Sequence, residues 1–149
     1  MTQTQVDPAA MTGMEQLEAM LDGRLPAPPF AETIGLVDLG GEPGAIHASL
    51  DPGHRHYNPL GTVHGGVIST LLDTAAGCSV HSVLEVGEAY TSLDLTVKFL
   101  RPATVESGRL TATGRVVHRG RRTALAEAQL TDAAGRLVAH ATSSCMIFS

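Results

Sequence analysis

Asn58, His64, Gly65, Gly66 and Asp73 fall within sixteen consecutive residues. Asn58-Pro59-Leu60-Gly61-Thr62-Val63 reads as a polar loop, and His64-Gly65-Gly66 as a glycine-opened helix start. Val67-Ile68-Ser69-Thr70-Leu71-Leu72-Asp73 then places one acid in an apolar helical run. The first turn of a helix carries backbone N–H groups without intrahelical partners and a partial positive charge. Glycine lets a ligand atom approach that backbone closely. Such a terminus can hold a phosphate, a carboxylate or the oxyanion that develops in acyl transfer. Donors beside a lone carboxylate point to chemistry on a carbonyl.

The spacing constrains how these groups act. Gly65 and Asp73 are eight residues apart, roughly 12 Å along one helix. Groups acting on one carbonyl must lie within about 3 Å of the reacting atoms. If both act on one substrate, they come from two different helices. The spacing therefore predicts a site shared between two copies of the chain.

The elements that position these residues are legible as periodicities. Met14, Leu17, Met20 and Leu21 predict a short amphipathic helix over 11–21, after a tail over 1–10 that reads as disordered. Pro26, Pro28 and Pro29 predict an extended connector. Short strands are predicted over 34–39 and 45–50, and the main helix over about 64–80, apolar enough around its circumference to be largely buried. Beyond Gly87 the period changes to two, with Leu93, Leu95, Val97 and Phe99 alternating with polar residues in one long strand. Strands over 108–117, 123–131 and 137–148 are joined by turns too short for helical crossovers, so they form an antiparallel meander. Residues 1–29 then form a tail, short helix and connector, and 30–149 a single α+β domain whose sheet wraps one helix. Such a sheet leaves apolar surface uncovered, and a symmetric homodimer is the natural remedy.

Composition narrows the function classes. The net charge is -5, there is no tryptophan, and neither a long basic nor a long acidic run occurs. Nucleic acid is therefore not the expected partner. No apolar stretch has the length of a membrane span, and Met1 to Pro8 lacks the pattern of a signal peptide. Cys78 and Cys145 make neither a disulfide framework nor a CxxC pair, so the cytoplasm is the expected compartment. His54 and His56 lack a third metal ligand at a recognisable spacing, and a solvated loop is the expectation there.

The pattern N-P-x-G-x-x-H-G-G, followed by Asp73, resembles the hotdog-fold thioesterases of the PaaI type, named for phenylacetate degradation. Ser92-Leu93-Asp94-Leu95-Thr96-Val97-Lys98-Phe99-Leu100-Arg101-Pro102-Ala103 is similar to that family's long strand ending in F-L-R-P-A. Gly120-Arg121-Arg122-Thr123 and Asp132-Ala133-Ala134-Gly135-Arg136-Leu137-Val138-Ala139 are similar to its last hairpin. The resemblance spans residues 30–148. It implies a hotdog fold, a long helix wrapped by a curved antiparallel sheet of five to six strands, paired as a dimer and commonly assembled as a tetramer. It implies hydrolysis of acyl-CoA thioesters without a metal or redox cofactor.

Carried over residue by residue, the resemblance gives the Gly65 N–H the task of polarising the thioester carbonyl, with Gly66 beside it. Asn58 and His64 would hold the carbonyl or the sulfur, and Asp73 of the facing subunit would act as general base or nucleophile. A strand hydroxyl would assist. Counting back from Phe99-Leu100-Arg101-Pro102 favours Ser92, whereas alternation puts Thr91 on the face of Leu93 and Leu95, so the pair stays open. Arg119, Arg121 and Arg122 form a basic patch suited to the phosphates of CoA. Each residue also has a plainer reading: His64 as a helix cap, Asn58 as a turn starter, Asp73 as a paired core acid, the arginines as a solvated hairpin. The alternative functions are a non-catalytic acyl-CoA-binding module and a hotdog hydratase or dehydratase. An α/β-hydrolase is excluded by the lack of G-x-S-x-G and of alternating βα units.

Overall fold

A 17-residue helix, α3 (Gly65–His81), lies against a strongly curved antiparallel sheet of seven strands. The computed structural model describes residues 6–149. The strands are β1 (Leu36–Glu42), β2 (Ala45–Leu50), β3 (Ala89–Ser92), β4 (Thr96–Phe99), β5 (Leu110–Arg119), β6 (Thr123–Thr131) and β7 (Leu137–Phe148). Their order is β1-β2-β5-β6-β7-β3, and β4 pairs with β7 on the same edge as β3, further along that strand. The sheet is not closed: β1 forms one edge, β3 and β4 the other.

Alanine sets the distance between the layers. Ala48, Ala112, Ala126, Ala128, Ala139 and Ala141 are buried on the inner face of the sheet, opposite Leu71, Leu72, Ala75, Ala76 and Val80 of α3. At Gly114 of β5 a Cβ would lie 2.3 Å from the Ala75 carbonyl oxygen, so only glycine permits this approach of strand to helix. The Ser79 hydroxyl, buried at the same crossing, donates to the Ala75 carbonyl and accepts from the Ile46 N–H. Its hydrogen-bonding capacity is thus spent within the core.

Four sequence expectations are revised. The sheet has seven strands rather than five or six, because the long strand predicted over 93–99 is two. Ser92 opposes Cys145 and Thr96 opposes Thr142, so three residues, Leu93 to Leu95, face only Ser143 and Ser144. This is a β-bulge, and Asp94 fastens it, its carbonyl accepting from the Ser143 hydroxyl and its carboxylate from the Ser144 N–H. Second, the plainer reading of Asp73 as a paired core acid gives way: Asp73 and Gly66 are the exposed residues of α3, which is otherwise buried or half-buried, as expected.

Third, the proline connector holds a short helix, α2 (Pro29–Ile34), with Pro29 in its first turn, where the missing N–H removes nothing. Strand β1 accordingly starts at Leu36 rather than Ile34. Fourth, His56 is not solvated. It is 4% exposed, its Nδ1 accepts from the Gly53 N–H and its Nε2–H donates to the Ile34 carbonyl.

The helix α1 (Gly13–Leu21) matches its expected span and begins with a capping box formed by Thr12 and Glu15. It buries Leu17 and Ala19, so the segment before residue 30 packs onto the domain instead of trailing from it. Of the predicted tail, residues 1–5 lie outside the described residues, and Pro8–Ala10 form a turn of 3-10 helix capped by Asp7. Among the described residues no helix is long and apolar enough to cross a membrane.

Candidate active site

The start of α3 has one backbone donor committed and one free. The His64 side chain caps the helix, its Nδ1 accepting from the Gly66 N–H at 2.8 Å. In the neutral ring this leaves the proton on Nε2, so His64 keeps a donor pointing away from the helix. The Gly65 N–H meets no acceptor among the described residues. Phe99 at the end of β4 packs against Gly65, where a Cβ would come within 3.1 Å of its ring. The capping reading of His64 and its donor reading therefore coexist, on different ring nitrogens.

Asn58 organises the preceding loop. Its Oδ1 accepts from the N–H groups of Leu60 and Thr62, and its Nδ2 donates to the Thr62 hydroxyl at 2.9 Å. One Nδ2 hydrogen stays available. The turn passes through Gly61 at φ +83°, a conformation that suits glycine. Val63 and His64 then anchor the loop through N–H bonds to the carbonyls of Ala103 and His56.

Asp73 projects from the side of α3 turned toward β3. With Ser69, Thr70, Ser92 and the bulge residues Leu93 to Leu95, it lines an open cleft of about 320 Å³. Crowding by neighbouring atoms raises its carboxyl above the ordinary value, although the residue is exposed. No hydrogen bond to the carboxylate occurs among the described residues, so desolvation acts unopposed.

The bulge resolves where the two strand hydroxyls lie. Ser92 opposes the buried Cys145, with its Oγ 4.0 Å from the Cys145 Sγ, and faces α3. Thr91 opposes the exposed Met146 on the other side of the sheet. Beyond the bulge the parity inverts: Val97 and Phe99 oppose the buried Ala141 and Ala139. Alternation counted through the bulge would pair Thr91 with Leu95. The extra residue breaks that count, and Ser92 is the hydroxyl brought beside Asp73.

The arginines are brought to neither group. Arg119 ends β5 and Arg121 and Arg122 follow in the turn before β6, with Arg119 and Arg121 beside Val83 and Glu85 just past the end of α3. That helix is about 25 Å long, so within one chain the patch is remote from Gly65. Arg119 is already engaged by an ion pair with Glu88. Arg121 and Arg122 border a larger cavity of about 810 Å³ formed with Glu88 and the chain end from Met146 to Ser149.

Sequence reasoning passed over a second group along the same seam. Gly77 and His81 follow Asp73 at successive four-residue steps, which place all three on one side of the helix. A Cβ at Gly77 would lie 2.6 Å from the Tyr90 hydroxyl, so the missing side chain makes room for that ring. Tyr90 stacks edge-on against His81, with centroids 5.9 Å apart. Burial raises the Tyr90 hydroxyl, and the Cys78 and Asp73 charges add to this. Burial likewise pushes the Cys78 thiol up to about 11, which leaves it protonated and unreactive at neutral pH. The four-residue repeat from Asp73 was the available signal.

The sequence model of the thioesterase superfamily matches residues 60–139, which contain the loop end, α3, the bulge and the β5–β6 hairpin. The chain belongs to the thioesterase superfamily. Thioester hydrolysis is the activity that membership carries, and the fold is the hotdog fold that the PaaI-type resemblance implies. Among its relatives is the 1,4-dihydroxy-2-naphthoyl-CoA hydrolase of Listeria monocytogenes, 30% identical over 107 residues that cover 72% of this chain and 85% of the relative. A phenylacetic acid degradation-related protein from Ralstonia eutropha superposes with a TM-score of 0.78 at 33% identity, over 87% of this thioesterase and 97% of that chain. The PaaI protein of the E. coli phenylacetic acid degradation operon shares the fold, with a TM-score of 0.79 at 24% identity over 92% and 94% of the two chains.

Proposed function

We propose that this thioesterase hydrolyses an acyl-CoA thioester to the free acid and CoA, in a site assembled from two protomers. The observation that carries the reading is the pairing, on one helix, of an unpartnered N–H at Gly65 with a desolvated carboxylate eight residues on. At that separation each helix supplies half a site to two different substrates. The CoA relative supports the substrate class.

In this reading the Gly65 N–H of one protomer polarises the thioester carbonyl, with the His64 Nε2–H and the remaining Asn58 Nδ2 hydrogen beside it. Asp73 of the partner takes a proton from water as the water oxygen attacks the carbonyl carbon, and Ser92 holds that water. The tetrahedral oxyanion is stabilised at the helix terminus, where one such donor contributes about 3–4 kcal/mol. The C–S bond then breaks, and the departing thiolate collects the proton. Desolvation raises the Asp73 carboxyl, which makes its carboxylate a stronger base toward that water. Thiolate is a good leaving group, so neither a metal nor a serine nucleophile is needed.

Arg121 and Arg122 are proposed to meet the phosphates of CoA; Arg119, paired with Glu88, is left out of that role. Replacing both together raises KM for CoA esters more than for short thioesters without the nucleotide, and equal effects on the two would reject the clamp. The reading as a whole is tested by thiol release from a panel of aryl and fatty acyl-CoA esters. Asp73→Asn lowers kcat by about 10²–10⁴-fold while the variant stays folded, and wild-type turnover in that variant would sink it.

A further inference from the structure

Before Ser92, packing fixes the strand. Tyr90 and Ser92 oppose the buried Ile147 and Cys145, and the Tyr90 hydroxyl sits over Gly77 of α3, where a Cβ would come within 2.6 Å of it. After Ser92 the chain enters the bulge, where Leu93 and Asp94 are exposed and the ladder is disrupted. The Leu93 N–H donates to the Ser144 carbonyl at 2.8 Å, but the reciprocal backbone bond of a regular antiparallel pair does not form among the described residues. The Ser144 N–H donates instead to the Asp94 carboxylate, at 2.9 Å. The Ser143 hydroxyl donates to the Asp94 carbonyl, also at 2.9 Å. The Asp94 side chain thus supplies the acceptor that the extra residue displaces.

Asp94 also lines the Asp73 cleft, so a second carboxylate borders the candidate site. The two differ in what they hold. The Asp73 carboxylate accepts no hydrogen bond among the described residues, whereas one Asp94 oxygen is committed to a backbone N–H. The negative charge on the acceptor strengthens that bond.

We infer that Asp94 is a positioning residue for the hydrolysis: by closing the bulge onto Ser144 it fixes the direction of the Ser92 hydroxyl toward Asp73. The inference rests on the thioesterase reading, in which Ser92 holds the attacking water. Without the Asp94 carboxylate, Tyr90 over Gly77 still keeps β3 in register. The bulge is exposed, so water satisfies the freed Ser144 N–H. The strand end between Tyr90 and β4 then loosens, and Ser92 loses its fixed place while the fold is kept. A small misplacement of a positioning group is costly in rate even where binding is unchanged.

The test measures the effect of Ser92→Ala in three backgrounds, as kcat for thiol release from the fastest ester of the aryl and fatty acyl-CoA panel. In the wild-type background Ser92→Ala lowers kcat about tenfold. It does so again in Asp94→Asn, whose amide oxygen can accept the same bond. Asp94→Ala lowers kcat by itself, with KM within about twofold of wild type, and there the further change to Ser92→Ala costs less than about threefold. Hydrogen exchange gives a readout independent of turnover. The Ser144 amide exchanges about tenfold faster or more in Asp94→Ala, and at close to the wild-type rate in Asp94→Asn. A Ser92→Ala loss of equal size in all three backgrounds, an Asp94→Asn variant as slow as Asp94→Ala, or a Ser144 amide indifferent to Asp94→Ala would each overturn the positioning role. The expected exchange pattern with no turnover of any acyl-CoA ester by the wild type would leave Asp94 as the anchor of the bulge and overturn the hydrolase reading. If Asp94→Ala fails to fold, Asp94→Thr, which suits a strand but ends one atom short of the Ser144 N–H, decides in its place.

Discussion

Asp73 carries opposed consequences for activity and stability. Desolvation raises its pKa in the folded chain, so the native state binds the proton more tightly than the unfolded chain does. The group therefore stabilises the fold below its ordinary pKa, and that stabilisation is lost as pH rises through the raised value. At neutral pH the ionised carboxylate is a burden that Asp73→Asn removes. The variant is expected to melt above wild type at pH 7, with the difference shrinking in acid; a lower melting temperature at pH 7 would contradict this. Activity runs the other way, since a base must be ionised. The acid limb of kcat/KM is expected above the ordinary aspartate value of about 3.9, and a limb at or below it would show that Asp73 is not the titrating base. Ser92 and Thr91 separate on the same scale: Ser92→Ala lowers kcat about tenfold, whereas Thr91→Ala, on the opposite face, leaves it within about twofold. Equal losses in kinetics would mean that the bulge does not set the face.

At the scale of elements, legibility followed the strength of local signals. The start of α3 was readable because His64, Gly65 and Gly66 combine a cap with open backbone, and its end at His81 lies one residue past the expectation. The hairpins from β5 to β7 were readable because inner and outer residues alternate over most of each strand and their turns are short. The bulge was not, because one extra residue changes neither composition nor period over so short a stretch, yet it inverts every side chain beyond it. The helix α2 was hidden for a related reason: Pro28 and Pro29 read as extended chain, and only the second one's place in the first helical turn distinguishes the two. The plainer core-acid reading of Asp73 stayed open because the apolar residues around it cover most of a helical wheel; which flank the sheet leaves open depends on tertiary curvature. The layer contact is tested by Leu71→Ala, which removes a fully buried side chain facing the sheet. It is expected to lower stability by about 2–5 kcal/mol in denaturant titration, and a loss under half a kilocalorie would mean that the core is looser than its burial implies.

The molecule as a whole has two open edges, and one of them adjoins the candidate site. Phe99 and Leu100 at the end of β4 are 57% and 59% exposed, and Leu93 in the bulge is 56% exposed. Large apolar groups on an unpaired sheet edge mark a surface for association. The cleft holding Asp73 and Ser92 opens beside this edge, as does Gly65 beneath Phe99. A two-fold pairing there would bring half-sites from two chains together, which one chain cannot do at a separation of about 12 Å. The central claim is that catalysis needs Gly65 of one protomer and Asp73 of another. Gly65→Pro deletes the free N–H at a first helical position that accepts proline, His64 before it being already extended, and the exposed Phe99 ring gives by a few tenths of an ångström to admit its Cβ. Each of Gly65→Pro and Asp73→Asn alone is expected to be nearly inactive. The decisive measurement is thiol release by the two variants co-expressed in equal amounts and purified together. Random pairing makes half of the dimers mixed, each with one intact site, and restores about a quarter of wild-type turnover; a mixture no more active than its parents would contradict the shared site.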